Sequence, residues 1–348
     1  MRIIVNLFNK NTFFGENFRE DIFEIFQNNK LSNKNVILFL GEKHFKESSL
    51  YDYFCEVQKE LRNKTICKIN ITENPRIVEI KSLKDRVKIT DNTIIVSIGG
   101  GSVIDSAKLL NHLLENKLIH LSISTNFGSG TNYSPFIIYD NYEFKIGVYD
   151  EESSPDIVYY NDKILRNLPF NLKINGALDI LTHSIESYLS KSANKQTKIC
   201  ALKATRKLLE YIKSNYNNSE NVINSEILSI FSEKQGLVLF PHAAGHYLTY
   251  MKKVKHPLAT YYYLETYLDF LKENNNQIPE IFLETLALIN KNLKIDYEFK
   301  WNEKDCKNSL MLIKKYMHFI FENNPFELND ELYIEILKRS NQKWMKSN

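Results

Sequence analysis

The texture of this chain changes once, near its middle, and that change limits the fold more than any other feature. Before about residue 163, short apolar runs alternate with longer amphipathic ones. NVILFL (35–40), CKINIT (67–72), TIIVSI (93–98) and LIHLSIS (118–124) have the length and β-branched content of buried strands. SSLYDYFCEVQKELRN, ENPRIVEIKSLKDRV and VIDSAKLLNHLLEN, lying between or after them, carry helical spacing. This alternation predicts a mostly parallel sheet with crossover helices, an α/β domain of the nucleotide-binding type. After residue 163 the strand signal almost vanishes. INGALDILTHSIESYLS, KQTKICALKATRKLLEYIKSN, NSEILSIFSEKQGLVLF and PEIFLETLALINKNL all repeat apolar residues at helical intervals. The expected architecture is an α/β domain over 1–163 and an all-α domain over 164–348, joined near Pro169. NYNNSENVINS and NNNQ read as polar loops, and no internal repeat is present.

Bulk properties exclude several classes. The 45 basic and 42 acidic residues nearly cancel, and no long block of one sign exists. The composition thus gives no support to a nucleic-acid partner or a membrane surface. No run of 18 apolar residues suggests a membrane span, and MRIIVNLFNKNTFF lacks the apolar core of a signal peptide. Four scattered cysteines without a CxxC pair point to a reduced, cytoplasmic protein.

Two turns stand out in the first half. Gly99, Gly100, Gly101 and Ser102 separate a buried strand from a helix that carries Asp105 and Lys108. Residues without Cβ let a pyrophosphate approach the backbone, and the helix start offers free N–H groups. The spacing is not GxGxxG, so an ordinary tight turn is an equal alternative on this evidence alone. The second turn, SISTNFGSGTNYSP, supplies Thr125, Asn126, Ser129 and two glycines after the next strand. Taken alone it reads as a polar loop; as the second such turn at successive strand ends it suggests a ligand.

The second half holds a cluster of metal-ligand types. Asp179 and His183 lie four apart in a helical segment, so both leave one face. His242 and His246 repeat that spacing, and His256 follows ten residues later. Facing helices with inward imidazoles and carboxylates are a standard way to hold a divalent cation. His44, His112, His120 and His318 stand outside this cluster and read as ordinary core or surface residues.

GGGSVIDSAK, then STNFGSGTN, GALDILTHSIESY and HAAGH with His256 beyond it resemble the iron-containing (group III) alcohol dehydrogenase family, within the dehydroquinate synthase-like superfamily. The likeness runs over roughly residues 8–340 and includes FGEN, the ENP at 73–75 and ENNPFELNDELYIEILKRS. The resemblance implies a nucleotide-binding domain, a helical domain, and a metal and cofactor in the cleft between them. It implies Asp179, His183, His242 and His256 as ligands of Fe2+ (or Zn2+), with His246 beside the nicotinamide as a proton relay. It places Gly99, Gly100, Gly101, Ser102 and Asp105 at the pyrophosphate, Thr125, Asn126 and Ser129 at the adenine and phosphates, and Lys145 near the nicotinamide ribose. Gly41 and Lys43 fall where the family contacts the adenosine ribose. Absence of an acid at Gly41 favours NADPH at least as much as NADH, although Glu42 argues the other way and His44 sides with Lys43.

The implied activity is interconversion of a small polar aldehyde and a primary alcohol, with a phosphonoacetaldehyde reductase as one instance. Three neutral imidazoles and one carboxylate would leave the metal site net positive. The expected partner is that small-molecule substrate, with no nucleic acid and no membrane; a homodimer is compatible with the reading. Departures from the family pattern are Pro257 after the last metal histidine, Asn126 and Asn132 in the adenine turn, and a shortened segment after HPLATYYYL. A dehydroquinate synthase-like cyclase and a non-catalytic metal- or nucleotide-binding homologue are the alternatives.

Overall fold

The computed structural model describes residues 1–4, 8, 10–41, 50–71, 75–293 and 302–347. The chain divides into two compact units, Met1–Leu168 and Pro169–Asn348.

The first unit is built on a seven-stranded sheet in the order β1-β2-β9-β6-β5-β3-β4. Its strands are β1 (Arg2–Ile4), β2 (Asn11–Gly15), β3 (Asn35–Gly41), β4 (Lys64–Ile71), β5 (Thr93–Gly99), β6 (His120–Ser124) and β9 (Ile157–Asn161). All neighbours pair in parallel except β1, which runs antiparallel to β2. Helices α1 (Phe18–Asn28), α2 (Leu50–Glu60), α3 (Ile77–Arg86), α4 (Gly101–Leu113) and α5 (Asp162–Arg166) accompany it. Every residue of β5 is buried, as expected for a central parallel strand covered on both faces. Its alternate side chains feed two separate cores. Ile94, Val96 and Ile98 join α1 and α2, while Ile95 joins Val103 and Ala107 of α4. β7 (Phe136–Asp140) and β8 (Lys145–Tyr149) form a separate antiparallel hairpin.

The four expected strands are all present. β1, β2, β7, β8 and β9 carried no clear sequence signal. The strand order reverses between β3 and β5, since β4 lies on one side of β3 and β5 on the other. In open parallel sheets, that reversal opens a crevice at the carboxyl ends of the strands. Here those ends are Gly41 and Gly99.

The second unit is helical throughout its described residues. It comprises α6 (Phe170–Leu189), α7 (Lys195–Lys213), α8 (Ser219–Gly236), α9 (Phe240–Lys252), α10 (His256–Glu273), α11 (Glu280–Asn290), α12 (Glu303–Tyr316), α13 (Phe319–Asn323) and α14 (Asp330–Ser347). α6 is buried over nearly its whole length from Lys173 to Ser187, which makes it the central helix. The polar stretch NYNNSENVINS is only partly loop. Asn218 accepts from the Asn221 amide and caps α8, so the segment enters the helix at Ser219. Pro257 occupies the first turn of α10, where a missing N–H costs nothing. Among the described residues no helix is long and apolar enough to cross a membrane.

Candidate metal centre and nucleotide turn

In the second unit, one turn of α6 sets Asp179 above His183, and the start of α9 brings His242 beside both. Ligand atoms of these three buried residues lie within 4.8 Å of one another. Oδ1 of Asp179 is 3.7 Å from Nε2 of His242 and 3.9 Å from Nε2 of His183. Those separations are too long for hydrogen bonds. Oδ1 of Asp179 and Nε2 of His242 are buried without any hydrogen-bond partner. Unsatisfied buried donors and acceptors are costly, so a shared focus of this kind fits a cation better than a plain core. One carboxylate with imidazole nitrogens is a donor set that iron and zinc both accept.

Behind the histidines stand two more carboxylates. Glu186, fully buried on α6, accepts from both the backbone N–H and Nδ1 of His242. That bond assigns the proton to Nδ1 and leaves the Nε2 lone pair facing Asp179. On α8, Oε2 of Glu233 comes within 3.1 Å of Nδ1 of His183, an ion-pair approach and not an aligned hydrogen bond. Burial works against charging either imidazole, but the carboxylates outweigh it. The pKa of His242 is held up at about 10 by Glu186 and Asp179, and that of His183 is raised by Glu233 and Asp179 against the charge of His242. The set attracts positive charge, whether it arrives as a proton or as a metal ion. Counting Glu186 and Glu233 as ionised, the formal charge around a divalent ion becomes negative, whereas the ligands alone leave it positive.

His256 and His246 lie next to this group. The His256 ring centre is 5.4 Å from that of His242 and 4.8 Å from that of His246. His256 begins α10 and falls outside the tight three-donor set, whereas His246 is buried one turn along α9 from His242. Gly245 permits the close crossing that aligns these elements, since a Cβ there would meet the Thr260 backbone at 2.9 Å.

In the first unit, Gly99 pairs with Ser124 across β5 and β6, so the two glycine-rich turns sit side by side. The Thr125 amide donates to the Gly99 carbonyl. A Cβ on Gly100 would lie 2.5 Å from the Asn126 side chain, and one on Gly101 would lie 2.9 Å from Oγ of Ser129. The glycines are therefore needed for turn-against-turn packing as well as for backbone approach. Gly100 is the N-cap of α4 and supplies no side-chain cap, and the Thr125 hydroxyl beside it is buried without a hydrogen-bond partner. A helix start and an unsatisfied hydroxyl at the crevice of the sheet fit a phosphate-bearing ligand.

Asp105 is tied into the protein. It accepts from the Thr131 hydroxyl and sits 3.5 Å from Nζ of the fully buried Lys108. Burial pushes the Asp105 carboxyl up, with Lys108, Thr131 and Lys145 pulling against it. Lys108 in turn donates to the carbonyls of Thr131, Ser134 and Phe136, so the pair anchors the second turn. Asn132, also in the second turn, is fully used. It accepts from Ser122 and donates to Ser124 and to the Tyr160 hydroxyl. Lys43, with Glu42 and His44, lies outside the described residues.

Sequence reasoning missed Glu186 and Glu233. Glu186 was legible in principle, because Asp179, His183 and Glu186 share one helix face.

The Iron-containing alcohol dehydrogenase family matches residues 9–162, and the Fe-containing alcohol dehydrogenase family, C-terminal, matches residues 173–304. Among curated relatives, alcohol dehydrogenase 4 of Saccharomyces cerevisiae is 24% identical over 312 residues, 77% of this chain and 81% of that protein. The NADPH-dependent butanol dehydrogenase of Clostridium saccharobutylicum is 22% identical over 86% of this chain and 90% of its own length. The iron-containing alcohol dehydrogenase structure from Thermotoga maritima superposes with a TM-score of 0.79 at 20% identity, covering 96% of this chain and 98% of that one. These matches span both units, and the chain belongs to the iron-containing alcohol dehydrogenase family, whose members are metal-dependent oxidoreductases linked to NAD(P).

Proposed function

We propose that this protein is a metal-dependent, NAD(P)H-linked alcohol dehydrogenase that works as a reductase of a small polar aldehyde. The observation that carries the reading is the buried Asp179–His183–His242 set, whose ligand atoms lie within 4.8 Å of one another and in which Oδ1 of Asp179 and Nε2 of His242 lack hydrogen-bond partners. Asp179, His183 and His242 hold a divalent ion, with His256 as the fourth ligand. Fe2+ is the expected metal and Zn2+ an acceptable one. When bound, the ion supplies Lewis acidity toward a carbonyl oxygen and the reduced nicotinamide supplies hydride.

The chain's own residues do the rest. Glu186 orients His242 and keeps its Nε2 free for ligation. His246 handles the proton gained by the substrate oxygen, through the ribose or a water. The turn of Gly99, Gly100, Gly101 and Ser102 receives the pyrophosphate at the start of α4, with Asp105 behind it. Thr125, Asn126 and Ser129 receive the adenine and phosphate portion, and Lys145 the nicotinamide ribose. Gly41 and Lys43 take the adenosine ribose and tolerate a 2′-phosphate. A narrower reading is a tailoring reductase for a charged aldehyde, phosphonoacetaldehyde being one instance.

The test is an aldehyde screen with Fe2+- or Zn2+-loaded protein, following NADPH and NADH absorbance. Turnover of one or more polar aldehydes supports the proposal. Stable binding of metal and nucleotide with no turnover of any aldehyde or alcohol would contradict it and favour a non-catalytic homologue.

A further inference from the structure

We propose that Glu233 is a positioning residue for His183, acting from a different helix as the counterpart of Glu186 behind His242. The inference rests on the reading that Asp179, His183 and His242 hold a divalent ion.

Three observations lead to it. First, Glu233 lies in the last turn of α8, where the helix dipole disfavours a carboxylate. Local helix energetics do not favour an acid there. Second, Nδ1 of His183 is 3.1 Å from Oε2 of Glu233. Negative charge beside Nδ1 favours the tautomer with its proton on that nitrogen, which leaves the Nε2 lone pair on the Asp179 side.

Third, the register of α8 against α6 is tightly specified at this point. A Cβ on Gly236 would lie 2.5 Å from the Ser187 carbonyl oxygen, so only glycine allows the helices to close. Ser232 donates to Oγ of Ser187, and Ser187 donates to the His183 carbonyl. α8 then stops at Leu237, which takes φ 61° and ψ 169°, a conformation an L-residue rarely adopts. A glycine contact, a serine relay and a strained stop all hold Glu233 one turn before the end of α8, opposite His183.

The arrangement gives the two histidines matching surroundings, although only the Glu186–His242 contact is an aligned hydrogen bond. Each presents Nε2 inward and has a carboxylate at Nδ1, one from its own central helix and one from α8. Carboxylates in this position orient imidazole ligands and raise their basicity, and their loss typically weakens metal binding by about 10- to 100-fold.

The experiment loads the full-length protein with Co2+ and measures its dissociation constant by chelator competition, together with its visible absorption bands. Glu233→Gln keeps the side-chain volume and removes the charge; Glu233→Ala removes both. Thermal melting of the metal-free variants reports on folding separately. The expected result is a dissociation constant raised about tenfold in Glu233→Gln and by up to about 100-fold in Glu233→Ala, with shifted Co2+ bands in both. If Glu233→Ala does not fold, the isosteric Gln variant decides. A Gln variant with parental bands and affinity within twofold would overturn the role of Glu233 while leaving the metal site standing. Parent protein that takes up no Co2+ would overturn both.

Discussion

Oδ1 of Asp179 and Nε2 of His242 face each other across 3.7 Å, both buried and neither in a hydrogen bond. A carboxylate and an imidazole free to pair would close to hydrogen-bond distance. Two ligands of one tetrahedral ion, each about 2.1 Å from it, stay roughly 3.4 Å apart. The observed gap is close to that spacing and is compatible with two ligands of one ion.

In the proposed function His246 handles a proton and is not a metal ligand. It is buried beside His256 but lies outside the three-donor set. His246→Ala is expected to retain the parental metal content while kcat falls on the order of 100-fold, the usual contribution of a positioned acid or base. Metal analysis and steady-state rates on the same preparation check this. A loss of metal equal to that in His242→Ala would make His246 a ligand.

In the proposed function Gly41 sets the cofactor preference. A Cβ added there would sit 3.4 Å from a Val103 methyl group, so a side chain fits with little adjustment. The parent protein is expected to use NADPH at least as well as NADH. Gly41→Asp should move the ratio of kcat/KM toward NADH by on the order of tenfold, through hydrogen bonds to the ribose and repulsion of a 2′-phosphate. A parental preference for NADH that the substitution leaves unchanged would remove Gly41 from this role.

His120 links the sheet to pH. It is fully buried, its Nε2 is paired with Ser97, and burial aided by Lys10 and Lys108 lowers its pKa from 6.5 to about 3. The unfolded chain therefore binds more protons at this residue between pH 6.5 and 3, so its contribution to stability rises with pH across that window. The contribution is complete above pH 6.5 and is lost as pH falls toward 3, with a ceiling of about 5 kcal/mol. Denaturant titrations at pH 7 and pH 4.5 should show a smaller pH dependence for His120→Gln than for the parent. Equal dependence in both would mean that His120 is not kept neutral by the fold.

The sequence was most readable where local pattern and chemistry coincide. β5 and the glycine turn announced themselves because a fully buried parallel strand must be apolar and the helix after it must start without bulk. Asp179 and His183 were visible because helical spacing alone puts them together. Strands β7, β8 and β9 were not, since five-residue runs such as FIIYD carry too little periodicity to separate from helix. Glu233 could not be seen at all. Its link to His183 spans fifty residues and depends on how Gly236 lets α8 close on α6. The anchoring role of Lys108 was likewise hidden, because its three carbonyl partners come from a turn that only the folded sheet brings near.

The measurement that bears most directly on the account is the metal content of the purified protein and of two single variants, His242→Ala and His256→Ala. About one divalent ion per chain is expected in the parent, with little or none in either variant. Both variants should stay folded, because a helical unit of this size does not depend on one ion for its core. Loss from His242→Ala alone would reduce the protein ligands to Asp179, His183 and His242. Full metal content in both variants would place the ion elsewhere and contradict the central claim.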